Sequence, residues 1–297
     1  MREINDNGVD KSNECACHHD MRIDRIPKII HYCWFGRNSK PAIVEKCIDS
    51  WKKFLPDWEI KEWNEDNFDV TASAFTKDAY DAKKWAFVSD VARLQIVYNE
   101  GGVYLDTDVE LKKSLNDLLS YDSFFAFENM CSVNSGVGFG AAPGHDYVKA
   151  MLNLYGDIEF WNHGRINLGE IVCPELNTKA LISAVPEFVC DGEKTQSIHN
   201  NRFLAVQEYS TYAVHHGAMS WVDGPHYVPR KRTNLSLWVQ GKIKQPKIYA
   251  FVNKHLGGKA AKLYKFIAFD LFDCGIGYFV RRGLFHILKR NKKDALW

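Results

Sequence analysis

The chain has 297 residues, 46% hydrophobic and 25% charged, enough for one large or two modest domains with an apolar core. No apolar run reaches the roughly 18 to 20 residues that cross a bilayer, and the opening MREINDNGVDKSNECACHHD is too polar for a signal-peptide core, so a cytoplasmic protein is expected. The net charge of +1 hides an asymmetry: from Lys231 onward fifteen Lys or Arg face three Asp, giving +12 there and −11 over the first 230 residues.

Residues 1–24 are expected to form a polar, disordered tail. Cys15, Cys17, His18 and His19 lie within it, but a Cys-x-Cys-His-His cluster without a second ligand pair is a poor zinc site. The eight cysteines are dispersed, as reduced thiols in a cytosol would be. "IPKIIHYCWFG" (26–36) reads as a short apolar strand ended by Gly36. Pro41 can start a helix, and Ile43, Cys47, Ile48, Trp51 and Leu55 recur near a 3.6-residue period until Pro56 stops it. "WEIKEWN" then alternates, so the chain opens strand, helix, strand, the pattern of an α/β layered domain with parallel strands.

"KWAFVSDVARLQIVYNEGG" is apolar on most of its helical surface, hence a buried helix, with Gly101 as its C-terminal cap. Asp90 and Arg93 lie three residues apart on it and would meet, as a structural ion pair or as part of a site. Next comes "GGVYLDTDVEL" (101–111), a strand, Val103 to Leu105, running into Asp106 and Asp108. "SFFAFEN" and "SGVGFGAAP" read as two more strands and "HDYVKAMLNLY" as a helix; residues 156–230 mix short strands with Gly, Pro, Asn and His, as site-bearing loops do. From about 241 the chain reads as basic amphipathic helices.

On an extended chain residues i and i+2 point to one side, so Asp106 and Asp108 could face one cation. Hard divalent ions such as Mg²⁺ and Mn²⁺ take such oxygens and keep positions for water and phosphate. A chance Asp-x-Asp is expected about once in a chain of this size, so position carries the weight: ligands of α/β sheets bind where strands end. A haloacid-dehalogenase phosphatase also opens with a strand and Asp-x-Asp. That family would begin near the motif, whereas about a hundred residues of α/β pattern precede it here, and no adjacent acidic pair follows.

Taken together, "IPKIIHYCWFG", "FVSDVARLQIVYNEGGVYLDTDVEL" and "YAVHHGAMSW" resemble glycosyltransferase family 32, which includes capsular-polysaccharide transferases and yeast initiating α-1,6-mannosyltransferases and shares its core with clostridial glucosylating toxins. The resemblance spans roughly residues 26–225. It implies a GT-A fold, a Rossmann-like mixed sheet flanked by helices, over 25–235, with a basic α-helical extension over 236–297. It further implies a retaining, metal-dependent hexosyl or N-acetylhexosaminyl transfer from a nucleoside-diphosphate sugar to a glycan or lipid-linked glycan, as in surface-polysaccharide synthesis.

By the same resemblance Trp34 borders the nucleobase, a contact of roughly 1 to 3 kcal/mol, and Asp90 and Arg93 meet the donor sugar and its phosphates. Tyr104 borders the nucleotide. Asp106 bridges ribose and metal, Asp108 ligates Mn²⁺ (or Mg²⁺), and Asn134 meets sugar hydroxyls. His215, or His216 as the alternative, completes the metal shell while Ser220 and Trp221 hydrogen-bond the diphosphate. A two-carboxylate mechanism would need a nucleophile, for which Glu128 and Glu170 are candidates. The second reading is a non-catalytic nucleotide-sugar or glycan-binding protein of the same fold.

The partners expected are therefore a UDP- or GDP-sugar and a glycan acceptor. The tail beyond residue 240 suits peripheral contact with an anionic membrane on its inner face. No nucleic-acid motif accompanies the basic residues.

Overall fold

The structure, a computed structural model, describes residues 24–129, 132–167 and 171–217. Strand β1 (Ile29–Cys33), helix α1 (Ala42–Phe54) and strand β2 (Glu59–Trp63) follow the sequence pattern. Helices α2 (Ala74–Asp81) and α3 (Trp85–Glu100) lead to β3 (Gly102–Tyr104) and β4 (Val109–Leu111). A 3₁₀ turn (Asn116–Leu118) precedes β5 (Ser123–Asn129), β6 (Ser132–Val133), β7 (Phe139–Ala141) and α4 (Asp146–Leu154). The hairpin β8 (Trp161–Asn162) and β9 (Arg165–Ile166) then gives way to α5 (Cys173–Ala184), β10 (Gln196–Ile198), β11 (Asn201–Leu204), α6 (Val206–Tyr209) and β12 (Ala213–His215).

The main sheet runs β10-β11-β5-β7-β3-β1-β2, with β6 alongside β5. It is mixed rather than parallel throughout: β1 is parallel to β2 and β3, while β7 lies antiparallel between β3 and β5. Both faces are covered, which explains why "SFFAF" is an unbroken apolar run instead of an alternating one. Phe125, Phe127 and Phe203 face a core shared with α3, α4 and α5, while Phe124, Ala126 and Leu204 face a second core built on Trp51 of α1. Each such large side chain, taken fully out of water, contributes about 1.5 to 3 kcal/mol.

Two fastenings bear on the carboxylates. Trp51 Nε1 donates to Val109 O at 2.8 Å and Ser50 Oγ accepts from Leu111 N at 2.9 Å, so the buried face of α1 holds β4 just after Asp108. Beneath β3, Trp63 Nε1 donates to His31 Nδ1 at 3.1 Å, which leaves Nε2–H to donate to Gly101 O at 2.9 Å. Gly101 and Gly102 have φ of +68° and +94°, and a Cβ on Gly102 would lie 2.9 Å from His31 Nε2. The Gly-Gly pair is therefore required both by backbone conformation and by the approach of His31.

Among the described residues no helix is long and apolar enough to cross a membrane. The 1–24 tail, apart from Asp24, and the whole of the 236–297 tail fall outside the described residues, as do Glu170, Ser220 and Trp221.

Candidate functional site

The site forms where β1 and β3 end. Their register pairs His31 with Tyr104, so Trp34 and Asp106, each just past its strand, emerge on the same sheet edge. Trp34 is half-buried, packs on the α1 core and donates from Nε1 to Asn38 O at 2.7 Å. Asp106 and Asp108 are not on an extended strand as expected. Val109 N donates to Asp106 O at 3.0 Å, closing a turn over 106–109. The turn, rather than the pleat, brings the carboxylates together.

Helix α3 supplies the charge beneath them. Arg93 Nη2 lies 2.9 Å from Asp90 Oδ1 and 3.3 Å from Asp106 Oδ1, and its Nε donates to Ser89 O at 3.0 Å. Arg93 and Asp90 are only 3% and 7% exposed, so this is a buried pair linked to the site and not a solvated one. Burial pushes the Asp90 carboxyl up to about 6, with Arg93 opposing and Asp106 adding to the rise. Tyr104 lies under the guanidinium, 4.9 Å from ring centroid to Cζ, and its hydroxyl donates to Asp106 Oδ1 at 3.0 Å. Burial holds that phenol far above its ordinary pKa, so it remains a donor.

β12 closes the other side. It pairs antiparallel with β4, His215 opposite Val109, and His216 N donates to Asp108 O at 2.9 Å. Successive residues of a strand face opposite ways. His215 Nε2 consequently lies 3.3 Å from Asp108 Oδ1, whereas His216 Nε2 meets Glu110 Oε2 at 2.9 Å, beside Lys46. Burial opposes protonation of His215, yet the hydrogen bond and charge of Asp108, with Asp106 and Glu128, outweigh it and raise its pKa. Glu128 stands exposed near the end of β5, close enough for its charge to reach His215.

One ligand atom from each of Asp106, Asp108 and His215 falls within 4.8 Å of the others. The donor set, two carboxylates and an imidazole, fits Mn²⁺ or Mg²⁺, the imidazole favouring Mn²⁺. Charge agrees: Asp90, Asp106 and Asp108 against Arg93 leave two negative charges with His215 neutral, which a divalent cation offsets.

A loop from Asn134 to Gly138 roofs the pair. Asp106 N donates to Gly136 O at 3.1 Å, Asn134 Oδ1 accepts from Gly136 N at 2.7 Å, and the Tyr209 hydroxyl donates to Val137 O at 2.5 Å. A Cβ on Gly136 would stand 2.4 Å from Asp106 Oδ2 and 2.6 Å from Arg93 Nη1, so glycine keeps open the space that these two groups face. Sequence reasoning named Asn134 but not Gly136, Tyr209 or Cys173. Their only local signal was the glycine-rich "SGVGFG"; the rest depends on contacts made far along the chain.

Residues 41–125 match the family described as a glycosyltransferase sugar-binding region containing the DXD motif. The matched segment covers less than a third of the chain. It includes Asp90, Arg93, Tyr104, Asp106 and Asp108, and the fold adds Asn134 and His215 from beyond it. Inositol phosphoceramide mannosyltransferase 1 of Schizosaccharomyces pombe is 28% identical over 144 residues, 44% of this chain and 44% of that protein. Inositol phosphoceramide mannosyltransferase 3 of the same yeast is 31% identical over 130 residues, 41% of this chain and 35% of that protein. The chain thus matches less than half the length of these curated relatives. Among solved structures, PaToxG glycosyltransferase aligns with a TM-score of 0.45 at 19% identity, covering 55% of this chain and 70% of that one.

Proposed function

We propose that this protein is a metal-dependent glycosyltransferase of GT-A type, transferring a hexose from a nucleoside-diphosphate sugar with retention at the anomeric carbon. The observation that carries the reading is the meeting of Asp106, Asp108 and His215 within 4.8 Å, directly above the Asp90–Arg93 pair. Asp108 and His215 would hold Mn²⁺, with Asp106 shared between metal and nucleotide. When bound, the cation supplies Lewis-acid stabilisation of the departing diphosphate.

The chain's own groups account for the remainder. Arg93, held charged by Asp106, Tyr104 and Asp90 against the cost of burial, presents Nη1 to the space below Gly136. A fixed positive group there stabilises charge as it develops without reorganising. The bond from the anomeric carbon to the phosphate oxygen breaks, and the acceptor oxygen bonds to that carbon on the same face. The acceptor proton passes to the leaving phosphate. Trp34, at the same sheet edge, is where the base would stack, and Asn134 is the group turned toward the sugar.

The acceptor we infer is a glycan or polyol carried on a lipid, the chemistry shared by surface-polysaccharide precursors and by the acceptors in the relatives' names. Those names make mannose the first donor sugar to test. Incubation with GDP-mannose, UDP-glucose or UDP-N-acetylglucosamine and Mn²⁺, with released nucleotide measured, should show turnover that chelation and Asp108→Ala both abolish. A protein that binds these donors metal-dependently but never releases nucleotide, with or without acceptor, would instead be the non-catalytic binder.

A further inference from the structure

Helix α5 contributes a residue to this site that its position in the chain does not advertise. Cys173, its first residue, is buried, and its sulfur is a junction: Asn177 Nδ2 donates to Sγ at 3.2 Å, Ser135 Oγ lies 3.2 Å away, and Sγ donates to Asn134 Oδ1 at 3.7 Å. Asn134 Oδ1 also accepts from Gly136 N at 2.7 Å. The amide oxygen is thus held from two sides, which fixes the flip of the side chain and leaves Nδ2 without a partner among the described residues. Burial keeps the thiol protonated, pushed up to about 12, so it acts as a donor and not as a nucleophile.

We infer that Cys173 is a positioning residue for the donor sugar: its thiol clamps the Asn134 amide so that Nδ2 is presented as a hydrogen-bond donor to a sugar hydroxyl. This rests on the glycosyltransferase reading. Cys173 is not itself a ligand of substrate or metal and acts through Asn134. Because its route to the donor runs through Asn134, the effect is expected on the sugar part of the donor and not on the diphosphate.

The test compares dissociation constants of GDP and GDP-mannose, and of UDP and UDP-glucose, with Mn²⁺ for the full chain and for Cys173→Ala, Cys173→Ser, Asn134→Ala and the double variant Cys173→Ala/Asn134→Ala. Loss of one hydrogen bond in the clamp should weaken nucleotide-sugar binding about three- to tenfold while leaving the bare diphosphate within about twofold. Cys173→Ser, which retains a donor, should recover part of the loss and keeps the test valid should the alanine variant fold poorly. In the double variant the two effects should be less than multiplicative, because both act on one contact. Equal weakening of diphosphate and nucleotide sugar, or fully multiplicative effects, would mean that Cys173 only supports packing and would overturn the inference. A wild-type chain that binds neither diphosphate nor nucleotide sugar would overturn the glycosyltransferase reading itself, a different and separately visible result.

Discussion

His215 Nε2 stands 3.3 Å from Asp108 Oδ1 because β12 lies antiparallel to β4, with His215 opposite Val109. The neighbouring His216 is carried by the same strand to the opposite side, onto Glu110. His215→Ala should therefore weaken Mn²⁺ binding by more than the roughly 10- to 100-fold typical of losing a group that merely orients a ligand. His216→Ala, which removes a surface contact, should change it by less than about fivefold. Calorimetric titration of Mn²⁺ into each variant checks both, and a larger effect at His216 would reverse the assignment.

Asp106 and Asp108 sit one residue apart but in different company. Asp106 engages Tyr104 and Arg93, while Asp108 faces His215. Asp106→Ala leaves the buried Arg93 with Asp90 as its one remaining carboxylate partner among the described residues, and uncompensated buried charge destabilises a fold. Its melting temperature should fall below that of Asp108→Ala. Asp108→Ala should lose metal-dependent nucleotide binding with little change in melting temperature. Differential scanning fluorimetry without metal, paired with nucleotide binding with Mn²⁺, separates the two.

Gly136→Ala tests the space under the roof loop. The added methyl would approach Asp106 Oδ2 and Arg93 Nη1 well inside contact distance, and Asn134 Oδ1 at 3.1 Å. Overpacking of this kind costs about 1 to 3 kcal/mol of stability. Transfer activity should drop much further, about 100-fold or more, since an ångström of displacement at a reacting centre costs that much. Initial rates at saturating donor, compared with urea midpoints, read both quantities.

His31 predicts a pH dependence. Burial lowers its pKa below 6.5, outweighing the Gly101 carbonyl and nearby Glu100. The unfolded chain then binds the extra proton more readily than the folded one, so the neutral ring's contribution to stability is present above about pH 6.5 and is lost as pH falls toward its lower folded value. Melting temperature should fall between pH 7.5 and 5, and His31→Gln should flatten that slope. An unchanged slope would place the titrating group elsewhere.

Much of the fold was legible because it lies in long periodic segments. The apolar face of α1, the nearly all-apolar α3 with its glycine cap and the unbroken β5 each match their sequence reading, as does the Asp90–Arg93 contact, which follows from helical spacing alone. Helix α5 was not legible. Its buried face carries Asn177 and Thr178 among Leu176, Ala180 and Leu181, so polar residues interrupt the pattern that marks a helix. Those residues are buried because they bond to neighbours distant in sequence: Thr178 Oγ1 accepts from Val133 N at 2.9 Å and Asn177 holds Cys173.

The amino-acid sequence by itself determined the chemistry available: two carboxylates after a buried strand, an ion pair on a buried helix, and two adjacent histidines far downstream. Tertiary structure alone decided how these meet. A turn and not a pleat converges Asp106 and Asp108, the β4–β12 register selects His215 over His216, and the start of α5 brings a thiol to Asn134. Local spacing cannot encode such choices, because strand register and helix docking are set by which buried faces pack together.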